Sequence, residues 1–135
     1  MKNKVSIIIL AAGKGTRMKS DMPKVLHKVK GKSMIEHVIL NARNLNPENI
    51  IVVVGYKYEM VKKQLENQDL TYVIQHKQNG TAHAVMQCDK LLKNYHISKP
   101  IINLAWHISY EIKNFLKKQN VKNKVFDIIS NKDFK

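Results

Sequence analysis

The stretch Val5-Ser-Ile-Ile-Ile-Leu-Ala-Ala-Gly-Lys-Gly-Thr-Arg-Met18 decides the fold. Its first part, 5–10, is a continuous apolar run rich in β-branched side chains, which is typical of a strand covered on both faces. Gly13 and Gly15 follow, and they let the backbone approach a ligand and turn its amides toward an anion. The stretch therefore predicts a buried strand that runs into an anion-binding loop.

This loop differs from the two common glycine-rich phosphate loops. The first glycine of a Walker A motif would fall at Ile9, and Met18 stands where a dinucleotide fingerprint has its third glycine. The loop extends to Gly31 and could clamp a polyphosphate with four basic side chains, Lys14, Arg17, Lys19 and Lys24. From spacing alone, an ordinary strand-to-helix turn with solvated lysines explains the same letters equally well.

The rest of the chain alternates between short apolar runs and helical patterns. Further strands are predicted over 50–54, 71–75, 101–104 and 125–129, and helices over 34–45, 58–65, 81–93 and 108–116. The first helix has a capping box, Ser33 with Glu36, and a predicted buried face made of Met34, Ile35, Val38, Ile39, Ala42 and Leu45. This alternation predicts an α/β fold with a parallel sheet and helices on both faces. Ligands of such sheets bind at the carboxyl ends of strands, which indicates the loop after Leu10 and the turn after Gln75.

The composition is strongly basic, with 24 Lys and Arg against 10 Asp and Glu and a net charge of +14. The positive charge is carried almost entirely by lysine and is spread along the chain, which favours a solvated surface with biased composition over a nucleic-acid site. The single cysteine, Cys88, excludes an internal disulfide and is predicted to lie in the core. No apolar stretch approaches a membrane span, so the chain is predicted to be cytoplasmic, with no membrane partner.

Several motifs occur together in one order: 10–18 in the first loop, Pro23-Lys-Val-Leu-His27, Gly31-Lys32, Met34-Ile-Glu-His-Val38, and Gln75-His-Lys-Gln-Asn-Gly-Thr-Ala-His-Ala84. In this combination the chain resembles the sugar-phosphate nucleotidyltransferases, which have a Rossmann-like fold of the nucleotide-diphospho-sugar transferase type. The likeness is greatest to the N-acetylglucosamine-1-phosphate uridylyltransferases, the amino-terminal domain of a bifunctional bacterial uridylyltransferase and glucosamine-1-phosphate acetyltransferase. It is firm over residues 4–93.

The resemblance implies that a sugar 1-phosphate attacks the α-phosphorus of UTP and that pyrophosphate leaves, which makes UDP-N-acetylglucosamine for peptidoglycan precursors. The residues that it implies for the nucleotide and its phosphates are Leu10, Ala11, Ala12, Gly13, Gly15 and Thr16. Those that it implies for the uracil are Gln75, Gly80 and Thr81. Arg17 would bind the leaving pyrophosphate, and Lys24 would neutralise the α-phosphate.

The resemblance fails at the metal site. The family holds its catalytic Mg²⁺ with an Asp in a Gly-Asp-x-Pro strand end, but this sequence has no Asp or Glu from Lys90 through Tyr110. Mg²⁺ is therefore expected by resemblance, whereas no metal ligand is found. We expect residues 1–135 to form a partial, truncated nucleotidyltransferase domain without the acetyltransferase β-helix domain. Impaired or absent turnover and self-association through an exposed sheet edge follow as expectations.

Two alternatives stay open at the level of sequence. The chain could be a non-catalytic module that binds nucleotides or RNA with its basic surface, or a nucleotidyltransferase that acts on a different sugar or on a cofactor precursor. His27, His37 and His83 lie in or beside the family motifs, but their spacing does not indicate a metal site.

Overall fold

The computed structural model describes residues 3–93, 101–103, 109–118, 120 and 125–127. In chain order its strands are β1 (Asn3–Ala11), β2 (Lys28–Val29), β3 (Lys32–Ser33), β4 (Pro47–Val54), β5 (Thr71–Ile74), β6 (Ile101–Asn103) and β7 (Val125–Asp127). Its helices are α1 (Met34–Asn44), α2 (Tyr58–Gln64), α3 (Thr81–Met86), α4 (Asp89–Lys93) and α5 (Ser109–Lys118). Three parts of the predicted elements lie outside the described residues: position 104 of the strand 101–104, position 108 of the helix 108–116, and positions 128–129 of the strand 125–129.

The main sheet confirms the predicted parallel architecture. Its five strands are ordered β5-β4-β1-β6-β7, and all of their pairings are parallel. The chain winds from β1 outward through β4 to β5 and then returns to the other side of β1 with β6 and β7. The order therefore reverses beside β1, and the carboxyl end of this strand lies at the crevice where α/β sheets bind ligands.

The core forms two layers, one on each face of the sheet. Alternate residues of β1 and β4 face α1 and α2, in a cluster that includes Ile7, Ile9, Val52, Val54, Ile39 and Leu65. The residues between them face the other side, where Ile51 and Val53 pack with Ala84, Cys88, Ile112 and Leu116. A strand buried on both faces needs apolar side chains at odd and even positions, which explains the continuous apolar runs.

The predicted capping box at the start of α1 is confirmed. Glu36 accepts hydrogen bonds from the Ser33 backbone N–H at 2.7 Å and from Ser33 Oγ at 2.5 Å, while Ser33 Oγ accepts from the Glu36 N–H. The pKa of Glu36 is lowered mainly by the hydrogen bond from the Ser33 side chain and, to a smaller extent, by the hydrogen bond from the Ser33 backbone. The box stabilises the entry of the chain into α1 directly after β3.

The buried face of α1 is narrower than the sequence predicts. Ile35, Ile39 and Ala42 are buried, but Val38 and Leu45 are 44% and 45% exposed. The five-stranded sheet covers only one side of this short helix, so its flanking apolar positions stay at the surface.

The helix predicted over 81–93 is wrong in its continuity, because it divides into α3 and α4. At the end of α3 the backbone N–H groups of Gln87 and Cys88 donate to carbonyls three residues earlier, which tightens the last turn. This turn directs Cys88 into the core, where it is fully buried.

The long loop from Gly13 to Gly31 also contains more structure than predicted. Short 3₁₀ turns form over Thr16–Met18 and Lys24–Leu26, and the loop ends in the β2–β3 hairpin. None of the described helices is long and apolar enough to cross a membrane.

Candidate functional site

A cavity of about 500 Å³ opens at the carboxyl ends of β1 and β5. Nine of the predicted site residues line it: Leu10, Ala11, Ala12, Gly13, Gly15, Lys24, Gln75, Gly80 and Thr81. A second cavity of about 320 Å³ lies at the opposite sheet edge, beside the amino ends of β4 and β5. Because ligands of parallel sheets bind at the carboxyl edge, the larger cavity is the candidate site.

Gly15 and Lys24 are packed against each other across the first loop. Gly15 has a φ of +70°, and a Cβ at this position would lie 2.5 Å from Cβ of Lys24. A glycine is therefore required both by the backbone conformation and by the approach of the lysine. Through this contact the glycine loop sets where the stem of Lys24 leaves the backbone at the cavity.

The loop is held to the β4–α2 connection by a polar cluster around Asp21. Lys57 Nζ lies 2.8 Å from Asp21 Oδ2 and also donates to the Asp21 carbonyl at 2.9 Å, while Tyr56 Oη donates to Asp21 Oδ1 at 3.3 Å. The hydrogen bond from Lys57 is the main cause that lowers the pKa of Asp21. Lys14 Nζ lies 5.2 Å from the centre of the Tyr56 ring, in a cation–π contact.

Gln75 directly follows β5 and is a buried polar residue of the cavity wall, with only 3% of its surface exposed. Its side-chain nitrogen, Nε2, donates to the backbone carbonyl of Gly80 at 3.1 Å. The backbone carbonyl of Gln75 accepts a hydrogen bond from Gln78 Nε2 at 3.1 Å. Gly80 has a φ of +88° and is the N-cap residue of α3, which begins at Thr81. The turn between Gln75 and Thr81 is thus closed on itself by side-chain hydrogen bonds.

Sequence reasoning missed the apolar wall of the cavity and one of its polar residues. Met34, Ile35 and Val38 of α1 line the cavity, and so does Gln78. Gln78 stands inside the motif 75–84, so its position in the motif was the available signal. Val38 was predicted to be buried, and no local pattern separates a core position from a cavity wall.

Thr16 and Arg17 do not line the cavity. Both belong to the exposed 3₁₀ turn next to Gly15, a few residues along the same loop. The structure therefore places Lys24, but not Arg17, in the wall of the candidate site.

The residues around the cavity do not fit a bound Mg²⁺. Mg²⁺ requires oxygen ligands, usually including a carboxylate, and the described residues that line the cavity include no Asp or Glu. In the described ranges no group of three or more His, Cys, Asp or Glu side chains is placed to hold a metal ion. The stretch 104–108, which belongs to the region where the resemblance implies a metal ligand, lies outside the described residues.

Comparison with known proteins agrees with this architecture. The family model of the MobA-like NTP transferase domain matches residues 7–91, which is more than half of the chain. The chain belongs to this family.

Three curated relatives of this NTP transferase domain bear the name "Bifunctional protein GlmU". The protein from Streptococcus gordonii is 55% identical over 87 residues, which are 64% of this chain and 19% of that protein. The one from Pseudomonas putida is 55% identical over 83 residues (62% and 18%), and the one from Idiomarina loihiensis is 50% identical over 91 residues (67% and 20%). The matched part thus spans about a fifth of the length of these relatives.

Two solved structures share the fold of the NTP transferase domain. HddC from Yersinia pseudotuberculosis superposes with a TM-score of 0.59 at 24% identity and covers 73% of this chain and 47% of that one. A UDP-glucose pyrophosphorylase, solved with UDP-glucose, superposes with a TM-score of 0.54 at 21% identity and covers 89% and 54%. At these identities the likeness establishes the fold alone.

Proposed function

We propose that the cavity binds UTP and that the chain carries the nucleotide-binding part of a sugar-1-phosphate uridylyltransferase. The preferred sugar substrate is N-acetylglucosamine 1-phosphate, and the product is UDP-N-acetylglucosamine for peptidoglycan precursors. The observation that carries the proposal is the convergence of two distant segments, 10–15 and 75–81, on one cavity. The proposal is also supported by 50–55% identity to proteins named GlmU over this part of the chain.

In the proposed reaction an oxygen of the sugar phosphate attacks the α-phosphorus of UTP. A bond forms between these two atoms, and the bond to the pyrophosphate oxygen breaks. The protein contributes mainly by positioning the two anions and neutralising their charge. Lys24, in the cavity wall, is proposed as the cation for the α-phosphate, and the backbone of Gly13 and Gly15, which line the same cavity, is proposed to bind the phosphates.

Arg17 is proposed to bind the departing pyrophosphate. Its guanidinium is always charged and can form paired hydrogen bonds with phosphate oxygens. Its exposed position beside the cavity suits a group that meets the outer phosphates rather than the base.

Mg²⁺ is expected to accompany the triphosphate, although the described residues that line the cavity offer it no carboxylate. We therefore infer that Lys24 and Arg17 must offset more phosphate repulsion than in a site with an acidic ligand, and that turnover by this chain is impaired or absent. UTP is a cytoplasmic metabolite, so a chain with this function works in the cytoplasm.

Calorimetric titration of the 135-residue chain with UTP, with and without Mg²⁺, tests the proposal. Lys24→Met is expected to weaken UTP binding about ten-fold or more, the worth of a hydrogen bond to a charged group. The matched control is Lys63→Met. Lys63 is exposed on α2, so this substitution removes the same charge at a position away from the cavity. Equal affinities of the two variants, or no UTP binding by the wild-type chain, would contradict the proposal.

Uridylyl transfer from UTP to N-acetylglucosamine 1-phosphate measures the turnover, and clear activity of the chain alone would overturn the inference that it is impaired. The alternative, a basic RNA-binding module, predicts a salt-dependent RNA affinity that is the same in wild type and Lys24→Met. Self-association through an exposed sheet edge stays a prediction, which sedimentation of the chain would test.

A further inference from the structure

The two donor hydrogens of the Gln75 carboxamide are both in use. Gln75 Nε2 lies 3.1 Å from the Gly80 carbonyl oxygen and 2.9 Å from Nδ1 of His83. A carbonyl oxygen only accepts hydrogen bonds, so the contact with Gly80 requires the nitrogen, and not the oxygen, of the carboxamide at this place. The His83 contact then takes the second hydrogen of the same nitrogen.

This arrangement leaves Oε1 as the atom of the carboxamide that a ligand can use. Among the residues that the structure describes, none donates a hydrogen bond to Gln75 Oε1, and Gln75 lines the cavity. At this position the wall of the cavity therefore presents a hydrogen-bond acceptor, Gln75 Oε1, rather than a donor. A ligand that binds here gains a hydrogen bond only if it presents an N–H or O–H.

We propose that His83 is a positioning residue that, together with the Gly80 carbonyl, fixes the orientation of the Gln75 carboxamide and so sets the base preference of the cavity. With Oε1 placed against N3 of a pyrimidine, the site favours uracil, which carries a hydrogen on N3, over cytosine, whose N3 is an acceptor. The inference rests on the proposed nucleotide site and deepens it. His83 itself does not line the cavity, so it acts only through Gln75.

The contact defines which nitrogen of His83 carries the proton. A neutral imidazole has one acceptor nitrogen, and the approach of Gln75 Nε2 requires this acceptor to be Nδ1. Gln87 Nε2 lies 3.3 Å from the other ring nitrogen and donates to the His83 carbonyl at 3.0 Å. Because the ring cannot accept from both carboxamides, the shorter contact, with Gln75, takes the acceptor, and His83 Nε2 keeps its proton.

The test measures UTP and CTP affinity by calorimetry for the full chain and three variants. His83→Leu removes one of the two acceptors of Gln75 Nε2 and leaves the carboxamide held by the Gly80 carbonyl alone, so the UTP-to-CTP preference is expected to fall by up to about five-fold, which corresponds to the free energy of one hydrogen bond. His83→Asn places a carbonyl oxygen near the position of Nδ1 and is expected to keep the wild-type preference. Gln75→Leu removes the base contact and is expected to abolish the preference.

Nitrogen-15 NMR of the wild-type chain gives a second measurement that needs no ligand. The neutral His83 ring is expected to be protonated on Nε2, with slow exchange of the Gln75 side-chain amide hydrogens. A proton on Nδ1, or an unchanged UTP-to-CTP ratio in a folded His83→Leu variant, would overturn the inference. If the wild-type chain bound neither triphosphate, the proposed function and the base preference would both fail, and the NMR result would still decide the His83–Gln75 contact.

Discussion

Replacing Gly15 with alanine tests how the first loop positions Lys24. The new side chain has to adopt a φ of +70°, which costs about 1–2 kcal/mol for an L-residue. Its Cβ would also lie 2.5 Å from Cβ of Lys24, so the lysine has to move. The Cβ of Lys24 is attached directly to the backbone, so the loop itself has to shift, and we expect about 1–3 kcal/mol for this displacement. The expected total is a loss of roughly 2–5 kcal/mol in the free energy of unfolding.

Gly31→Ala separates the two causes. Gly31 has a similar φ of +82°, but a Cβ there would meet no heavy atom within 4 Å. This control is therefore expected to lose about 1–2 kcal/mol, the backbone cost alone, and to bind UTP like the wild type. Urea denaturation gives the free energies, and calorimetry gives the UTP affinities.

The difference in UTP affinity is the decisive result. If Lys24 meets a phosphate and Gly15 sets its position, Gly15→Ala weakens UTP binding about ten-fold, close to the effect of Lys24→Met. If Gly15→Ala and Gly31→Ala bind UTP equally well, the close approach of Gly15 to Lys24 has no part in binding, and the reasoning is refuted.

Two further predictions concern the fold. The folded-state pKa of Glu36 is lowered from its ordinary 4.5, so its contribution to stability is complete above pH 4.5 and is lost as the pH falls through the lowered value. The stability advantage of wild type over Glu36→Gln should shrink in that acidic range, and a constant difference in urea melts from pH 7 to pH 2 would contradict it. Burial raises the pKa of the Cys88 thiol to about 12, so alkylation at pH 7.5 should be at least ~100-fold slower in the folded chain than in denaturant. Comparable alkylation rates in the two states would show that Cys88 is accessible in the folded chain.

Local patterns were sufficient for most of the elements. Apolar runs predicted the strands, because a strand buried on both faces needs apolar residues at every position. The capping box of Ser33 and Glu36 placed the start of α1 at its observed position. The helix over 81–93 was less predictable, because the break at Gln87 and Cys88 depends on how Cys88 packs against the sheet.

The family resemblance carried by the motifs named eleven residues of the candidate site, and nine of the eleven line the cavity. Their spacing did not show that Thr16 and Arg17 stay outside the wall, or that Val38 belongs to it. Whether an exposed turn or a helix flank reaches a cavity depends on neighbours that are distant in sequence.

The sequence by itself determined the α/β alternation, the glycine loop after the first strand, and the polar residues offered to a ligand, since these depend on periodicity and residue type. Only the tertiary structure decided the strand order β5-β4-β1-β6-β7, which brings segments some 65 residues apart to one cavity. It also decided that Gly15 lies against Lys24 and that the His83 ring contacts the Gln75 carboxamide. Contacts of this kind form when whole elements pack, and packing depends on shape and hydrogen-bonding partners that no short stretch of sequence contains.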